Sequence, residues 1–161
     1  MKVRKLADLD TESPINFFLM ANIYTMLEFS ALDDGLLGLC AERGIGVVIG
    51  GPFSSGILAD PQGTFNYAET PREIGERAMA MREVCARHGV PLGAAALQFP
   101  FGHPAVCNVI PGARSAEESR QCAEWMGMRI PGAMWGELKA EGLLPARVPV
   151  PASERAVASR L

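Results

Sequence analysis

The chain has 161 residues, 48% of them hydrophobic and 20% charged, with a formal net charge of −3. That is the composition of a globular chain able to bury a sizeable core, which excludes a disordered or low-complexity protein. A net negative charge without clustered Lys and Arg argues against nucleic acid as partner, and the lack of an uninterrupted run of about 18 apolar residues argues against a membrane span.

The first 14 residues, MKVRKLADLDTESP, carry basic groups with no apolar stretch behind them, so they do not read as a secretory signal. A continuous apolar run from Asn16 to Ala21 predicts a strand buried on both faces of a parallel sheet. Ser30 to Arg43 predicts one helix. Leu32, Leu36, Leu39 and Cys40 lie along one face, Asp33 and Asp34 stand in the first turn and Arg43 in the last, with Gly44 as C-terminal cap.

A second strand, Gly46–Ile49, ends at Gly50-Gly51-Pro52. The mixed-polarity stretch from Ala59 to Glu69 has the length of a lid or binding loop. Thr70-Pro71-Arg72-Glu73 predicts a capped helix start, and Ile74, Ala78, Met81 and Cys85 line one face of the helix that follows. A short Ala-rich helix, Pro91–Phe99, stops at Pro100. Val106–Ile110 predicts a third strand, Ser115-Ala116-Glu117-Glu118 a second capping box, and about Pro131 to Glu141 a last helix. The stretch after Pro145, rich in Pro, Ala and Arg, predicts a loosely ordered tail over 146–161.

Strand, glycine-bearing turn and helix thus recur three times, the unit of a parallel α/β fold, whose ligands sit at the carboxyl ends of the strands. Three turns carry candidate chemistry. In Ile110-Pro111-Gly112-Ala113-Arg114-Ser115 a strand runs into a capped helix, so backbone N–H groups and the helix dipole can accept a phosphate, and Arg114 can add a bidentate contact. A well-capped helix beside a solvated arginine has the same spacing. In Gly50-Gly51-Pro52-Phe53-Ser54-Ser55-Gly56 the glycines allow a ligand near the backbone and the serines add hydroxyls. An ordinary tight turn has this composition too. Tyr24 follows the first strand, where its ring can stack on a planar cofactor or fill the core.

Four cysteines, Cys40, Cys85, Cys107 and Cys122, have no CxxC spacing and no neighbouring His, which fits reduced thiols and no metal site. Such usage predicts a cytoplasmic protein. His88 at a helix end and His103 before the third strand read as structural, and no Ser/His/Asp pattern, Walker loop or GxGxxG occurs.

The wording of these segments resembles a known family. GIGVVIGGPFSSGILA, with ALDDGLLGLCAERG before it, is similar to the seventh unit of aldo-keto reductases, in the bacterial aldose dehydrogenase branch. LQFPFGHPAVCNVIPGARSAEE resembles the eighth unit and FFLMANIYTMLE the sixth. The resemblance covers about residues 15–145. It implies the C-terminal part, about three βα units, of a (β/α)8 TIM barrel binding NADP or NAD, with 1–14 a remnant of the preceding helix.

The resemblance further implies that Tyr24 stacks on the nicotinamide and that Gly51, Pro52, Phe53, Ser54 and Gly56 run along the pyrophosphate. Gly112, Ala113 and Arg114 hold the adenosine end, and Glu118, Gln121 and Cys122 approach the ribose phosphate and adenine. The family's usual arginine is Ile23 here, and its asparagines are Ser54 and Cys122. The last change removes an adenine-binding amide, at a cost of about 1 kcal/mol.

The family's Asp-Tyr-Lys-His tetrad has no counterpart: Lys2, Lys5, Lys139 and Tyr67 match none of its positions, so no catalytic residue is expected. The resemblance implies an aldose or aldehyde as substrate of the parent enzyme, and a complementing N-terminal half as partner. A non-catalytic nucleotide-binding or homo-oligomerising module is the other reading.

Overall fold

The structure, a computed structural model, describes residues 15–152. In chain order it contains β1 (Phe17–Ala21), α1 (Ser30–Asp33), α2 (Leu36–Glu42), β2 (Gly46–Gly50), α3 (Arg72–Arg87), α4 (Leu92–Gln98), a 3₁₀ turn (Phe99–Gly102), β3 (Val106–Ile110), α5 (Ala116–Gly127) and α6 (Gly132–Ala140). The remnant expected over 1–14 lies outside the described residues.

The strands form one parallel sheet in the order β1-β2-β3. Phe17 pairs with Gly46 and Ala21 with Gly50, while Gly50 pairs with Ile110. Ala21, Gly50 and Ile110 therefore end side by side, and the turns that follow leave from one rim. The register slips between Val47 and Val48, where β3 contributes one extra residue.

One face of the sheet is covered by helices. Met20, Val47, Ile49, Val106 and Val109 lie on it and are at most 6% exposed. The core continues through Met81, Val84 and Cys85 of α3, Leu92 to Leu97 of α4, and Met134, Trp135 and Leu138 of α6. Phe99 sits among aromatic rings, with centroids 5.3 Å from Tyr24, 6.2 Å from Phe29 and 6.3 Å from Trp135.

The opposite face is open, which corrects the expectation that the first strand is buried on both sides. Phe17 is 64% and Leu19 63% exposed, and Ile110 and Cys107 are exposed as well. An apolar run records only that both faces suit an apolar environment; it does not supply the neighbour.

The single helix expected over Ser30–Arg43 is two. Gly35 takes φ 76°, a left-handed conformation that ends the hydrogen-bond ladder of α1 and starts α2 on a new axis. The Thr70 box also forms differently. Its hydroxyl donates to the Gly63 carbonyl at 3.2 Å instead of capping α3, whose N-cap is Pro71. Ser115 does cap α5, accepting from the Glu118 N–H at 3.1 Å.

The stretch after Pro145 is packed as far as it is described. Leu144 and Val148 are fully buried, and Arg147 forks onto Asp33 at 2.7–2.9 Å. Gly102 lies so close to Pro149 and Val150 that a Cβ there would sit 2.7 Å from their backbone. Local composition suggested a loose tail because these contacts are all distant in sequence. Residues 153–161 lie outside the described part.

Candidate functional site

Two turns meet at the carboxyl rim of β2 and β3. After β2, Gly51 takes φ 64°, and Ser54 and Ser55 follow with φ 50° and 65°. Consecutive left-handed residues coil this turn tightly. A Cβ on Gly51 would sit 2.3 Å from Asn22 Oδ1, so the Asn22 amide fills the space beside the glycine. Asn22 itself takes φ 58°, and its N–H donates to the Gly50 carbonyl at 3.2 Å. Phe53 packs edge-on against Trp125 of α5, with ring centroids 5.9 Å apart, which joins this turn to the helix after β3.

Two polar atoms in this region, Asn22 Oδ1 and Ser55 Oγ, are buried without a hydrogen-bond partner. Buried polar groups ordinarily find one. Both lie within the packing of the two turns, Asn22 Oδ1 against Gly51.

The loop beyond is ordered on itself. Thr64 Oγ1 donates to the Ser55 carbonyl at 3.1 Å, and Gly63 presses on Gly56, where a Cβ would meet backbone at 2.3 Å. Asn66 and Tyr67, with φ 49° and 62°, make the tip of a tight hairpin between Phe65 and Ala68. Tyr67 is 83% exposed. A small cleft lined by Ile57, Pro61, Gly75, Ala78, Met79 and Arg82 lies between this loop and α3.

At the second turn, Arg114 does not point freely into solvent. Its Nη2 donates to Glu118 Oε1 at 2.9 Å and its Nε to the same oxygen at 3.2 Å, while its backbone N–H donates to Glu118 Oε2 at 2.6 Å. The Glu118 carboxylate thus reaches one residue further back than an ordinary capping box, which would return it to Ser115. The pair holds Glu118 below the usual carboxylate range, chiefly through the hydrogen bonds from Arg114, and raises Arg114 in turn. The charge of Asp60, in the loop after β2, also acts on Arg114. Gly112 and Ala113 are exposed in the same turn, Gln121 is exposed on α5, and Cys122 turns inward at 9% exposure. Burial, and then the charge of Glu118, push the Cys122 thiol up.

Two expected ligand contacts are corrected. Tyr24 does not reach the rim. It is wholly buried, with its ring between Phe99 and His103, and burial raises its phenol well above the usual value. A ring with no accessible surface presents no face to a cofactor in this arrangement. Ser54 is 1% exposed, and its hydroxyl is bound to Thr25 Oγ1 at 2.8 Å, which leaves it turned away from the rim. Pro52 is buried beneath the turn. Gly51, Phe53, Gly56, Gly112, Ala113, Arg114, Glu118 and Gln121 line or flank the two turns.

Asn22, Thr25 and Asp60 carry parts of this geometry that spacing did not single out. For Asn22 a signal existed, since asparagine is the residue type that best tolerates positive φ at a strand end. Thr25 and Asp60 gave none, because their partners are remote.

His88 and His103 are structural. His88 Nε2 lies 2.5 Å from Glu137 Oε2 and joins α3 to α6. His103 is buried, takes the Ala105 N–H on Nδ1 at 3.3 Å, and is pushed below its ordinary value by burial. Among the described residues no group of His, Cys, Asp and Glu could hold a metal ion, and no helix is long and apolar enough to cross a membrane.

Residues 1–140 match the Aldo/keto reductase family. The chain belongs to the aldo-keto reductase family. It is 39% identical over 142 residues to pyridoxal 4-dehydrogenase of Microbacterium luteolum, covering 86% of this chain and 41% of the relative. It is 34% identical over 138 residues to D-threo-aldose 1-dehydrogenase of a Pseudomonas species, covering 83% and 42%. The fold is similar to that of an aldo-keto reductase from Bacillus halodurans in its holo form, with TM-score 0.62 and 23% identity over 85% of this chain and 45% of that one. The chain therefore spans about two-fifths of the length of these curated relatives, and its three βα units are part of an aldo-keto reductase TIM barrel.

Proposed function

We propose that these three units form the cofactor-holding side of an NAD(P)-linked oxidoreductase of the aldose dehydrogenase type, acting on an aldose or a related aldehyde. The observation that carries this reading is the shared rim. Register pairing of Gly50 with Ile110 brings the Gly51–Gly56 turn and the Gly112–Ser115 turn side by side, with Asn22 of the turn after β1 packed against Gly51.

These residues fit a dinucleotide. The tightly coiled turn after β2 offers its backbone to the pyrophosphate, and Phe53 holds that turn against α5. The N–H groups of Gly112 and Ala113, at the positive end of α5, serve the adenosine end, while that of Arg114 is held by Glu118. Nicotinamide, when bound, supplies hydride transfer. The proton donor for the carbonyl comes from groups outside the three units, since the described side chains on the rim offer none.

Titration of the chain with NADH and with NADPH, followed by nicotinamide fluorescence, tests the reading, and absence of any change would reject it. Mixing the chain with the N-terminal half of an aldo-keto reductase is expected to give aldose-dependent NAD(P)H formation.

A second reading is a nucleotide-binding module that self-associates. The open sheet face with Phe17, Leu19 and Ile110 favours it, because a contiguous apolar surface seeks cover. Size-exclusion chromatography separates the two: a discrete oligomer that binds dinucleotide supports the module, and a monomer that becomes active only with the added half supports the first reading.

A further inference from the structure

The sheet fixes where the two rim turns start, at Gly50 and Ile110, but not where their tips lie. The turn after β2 then coils through positive φ at Gly51, Ser54 and Ser55. Backbone in that region is held by its surroundings rather than by its own preference. One support lies beneath, where Ser54 meets Thr25. The other is Trp125. Phe53 stands edge-on to the indole, with centroids 5.9 Å apart and planes at 78°. Its carbonyl accepts the N–H groups of Gly56 and Leu58 at 3.0 and 3.2 Å, so the rest of the turn follows wherever Phe53 is placed.

Trp125 is itself clamped by α4. Its six-membered ring lies over Gly93, where a Cβ would fall 2.4 Å from two ring carbons. Its carbonyl accepts from Nε2 of the buried Gln98 at 2.7 Å, and the same amide donates to the Met128 carbonyl at 2.8 Å. Ring and backbone are therefore both fixed. Trp125 stands near the end of α5, a helix of 12 residues, and the Gly112–Ser115 turn enters that helix at its start. One short rigid rod thus carries the adenosine-end turn at one end and the prop of the pyrophosphate turn near the other.

We propose that Trp125 is a positioning residue for the dinucleotide: seated on Gly93, its ring holds the Phe53 turn at the distance from the Gly112–Arg114 turn that one ligand spans. The inference rests on the dinucleotide reading given above and names the side chain that makes two turns one site. A ligand touching both turns gains from joint engagement only while their separation fits its length, whereas a ligand confined to one turn is indifferent.

The test uses the full chain, Trp125→Leu, Phe53→Leu and the double variant. NADH, which spans both turns, is titrated by nicotinamide fluorescence, and adenosine, confined to the second turn, by displacement of NADH. Each single variant is expected to bind NADH roughly tenfold more weakly, the order of a lost aromatic pair, with adenosine unchanged. The double variant is expected to lose no more than either single one, because the same contact is broken in all three. Where adenosine competes too weakly to read, this cycle on NADH decides alone. Thermal melting follows stability separately.

Unchanged NADH affinity in the single variants would overturn the proposal. Equal weakening of NADH and adenosine would do so too, by showing general loosening of the fold. Summed losses in the double variant would also reject it, since the two side chains would then act independently. Should Trp125→Leu not fold, Phe53→Leu, at a half-buried position, decides by its NADH and adenosine affinities. A wild-type chain that binds no NADH removes the dinucleotide reading and this inference with it, whereas binding that the variants leave intact removes only the inference.

Discussion

Thr25 Oγ1 and Ser54 Oγ lie 2.8 Å apart in the interior, joining the turn after β1 to the turn after β2 across 29 residues of sequence. Thr25 also accepts the N–H groups of Leu27 and Glu28 at 3.2 Å each. One buried hydroxyl thus fixes its own loop and anchors the strained neighbour.

Thr25→Val removes three hydrogen bonds and leaves the Leu27 N–H and the Ser54 hydroxyl without this partner, while the Glu28 N–H keeps the Thr25 carbonyl at 3.3 Å, so it is expected to cost about 2–3 kcal/mol of unfolding free energy. Ser54→Ala breaks only the cross-turn bond and is expected to cost about 1 kcal/mol. Urea denaturation followed by circular dichroism orders the two, and equal losses would show that Thr25 serves only through Ser54.

Gly93 of α4 faces the Trp125 ring so closely that a Cβ would fall 2.4 Å from two of its atoms. Gly93→Ala is expected to destabilise by about 1–3 kcal/mol through overpacking, despite alanine's better helix propensity. It also moves the indole against Phe53, so a shift in tryptophan emission should accompany the loss.

Gly63→Ala places a methyl group against the Gly56 carbonyl carbon and the Ile57 nitrogen, at 2.3 and 2.5 Å. Neither is a flexible side-chain end that can swing aside. The loop from Ala59 to Glu69 is expected to detach, which limited proteolysis would report as new cleavage between those residues while α3 and α5 stay protected.

His103 gives the fold an acid-sensitive point. Burial lowers its folded value below the ordinary 6.5, whereas the unfolded chain titrates near 6.5. Below that pH the unfolded state binds more protons, so this contribution is fully present above 6.5 and declines as pH falls toward the lowered folded value. Protonation would also remove the Nδ1 lone pair that accepts the Ala105 N–H. His103→Gln is expected to flatten the dependence of melting temperature on pH just below 6.5, and an unchanged slope would assign it to other groups.

Most of the scaffold was legible in local sequence. The third strand, Val106–Ile110, carries its own boundary at Pro111-Gly112, and Ser115 caps α5 through the Glu118 N–H as its spacing implies. Family-specific wording located the two rim turns.

What stayed hidden depends on partners far along the chain. Tyr24 is a rim residue by position, and only the arrival of Phe99 and His103 some 75 residues later makes it core. The Ser54 hydroxyl looked free because Thr25 lies on another loop. The Arg114–Glu118 pair was in principle visible at its four-residue spacing, but the same residues served equally well as a cap and a phosphate site.

The seat of Val150 on Gly102 sets where this polypeptide tolerates shortening. A composition-guided cut at Pro145 would strip away Val148, lose the Arg147 clasp on Asp33 and leave the 3₁₀ turn bare. A boundary placed after residue 150 preserves all three, so tags and fusions belong beyond it.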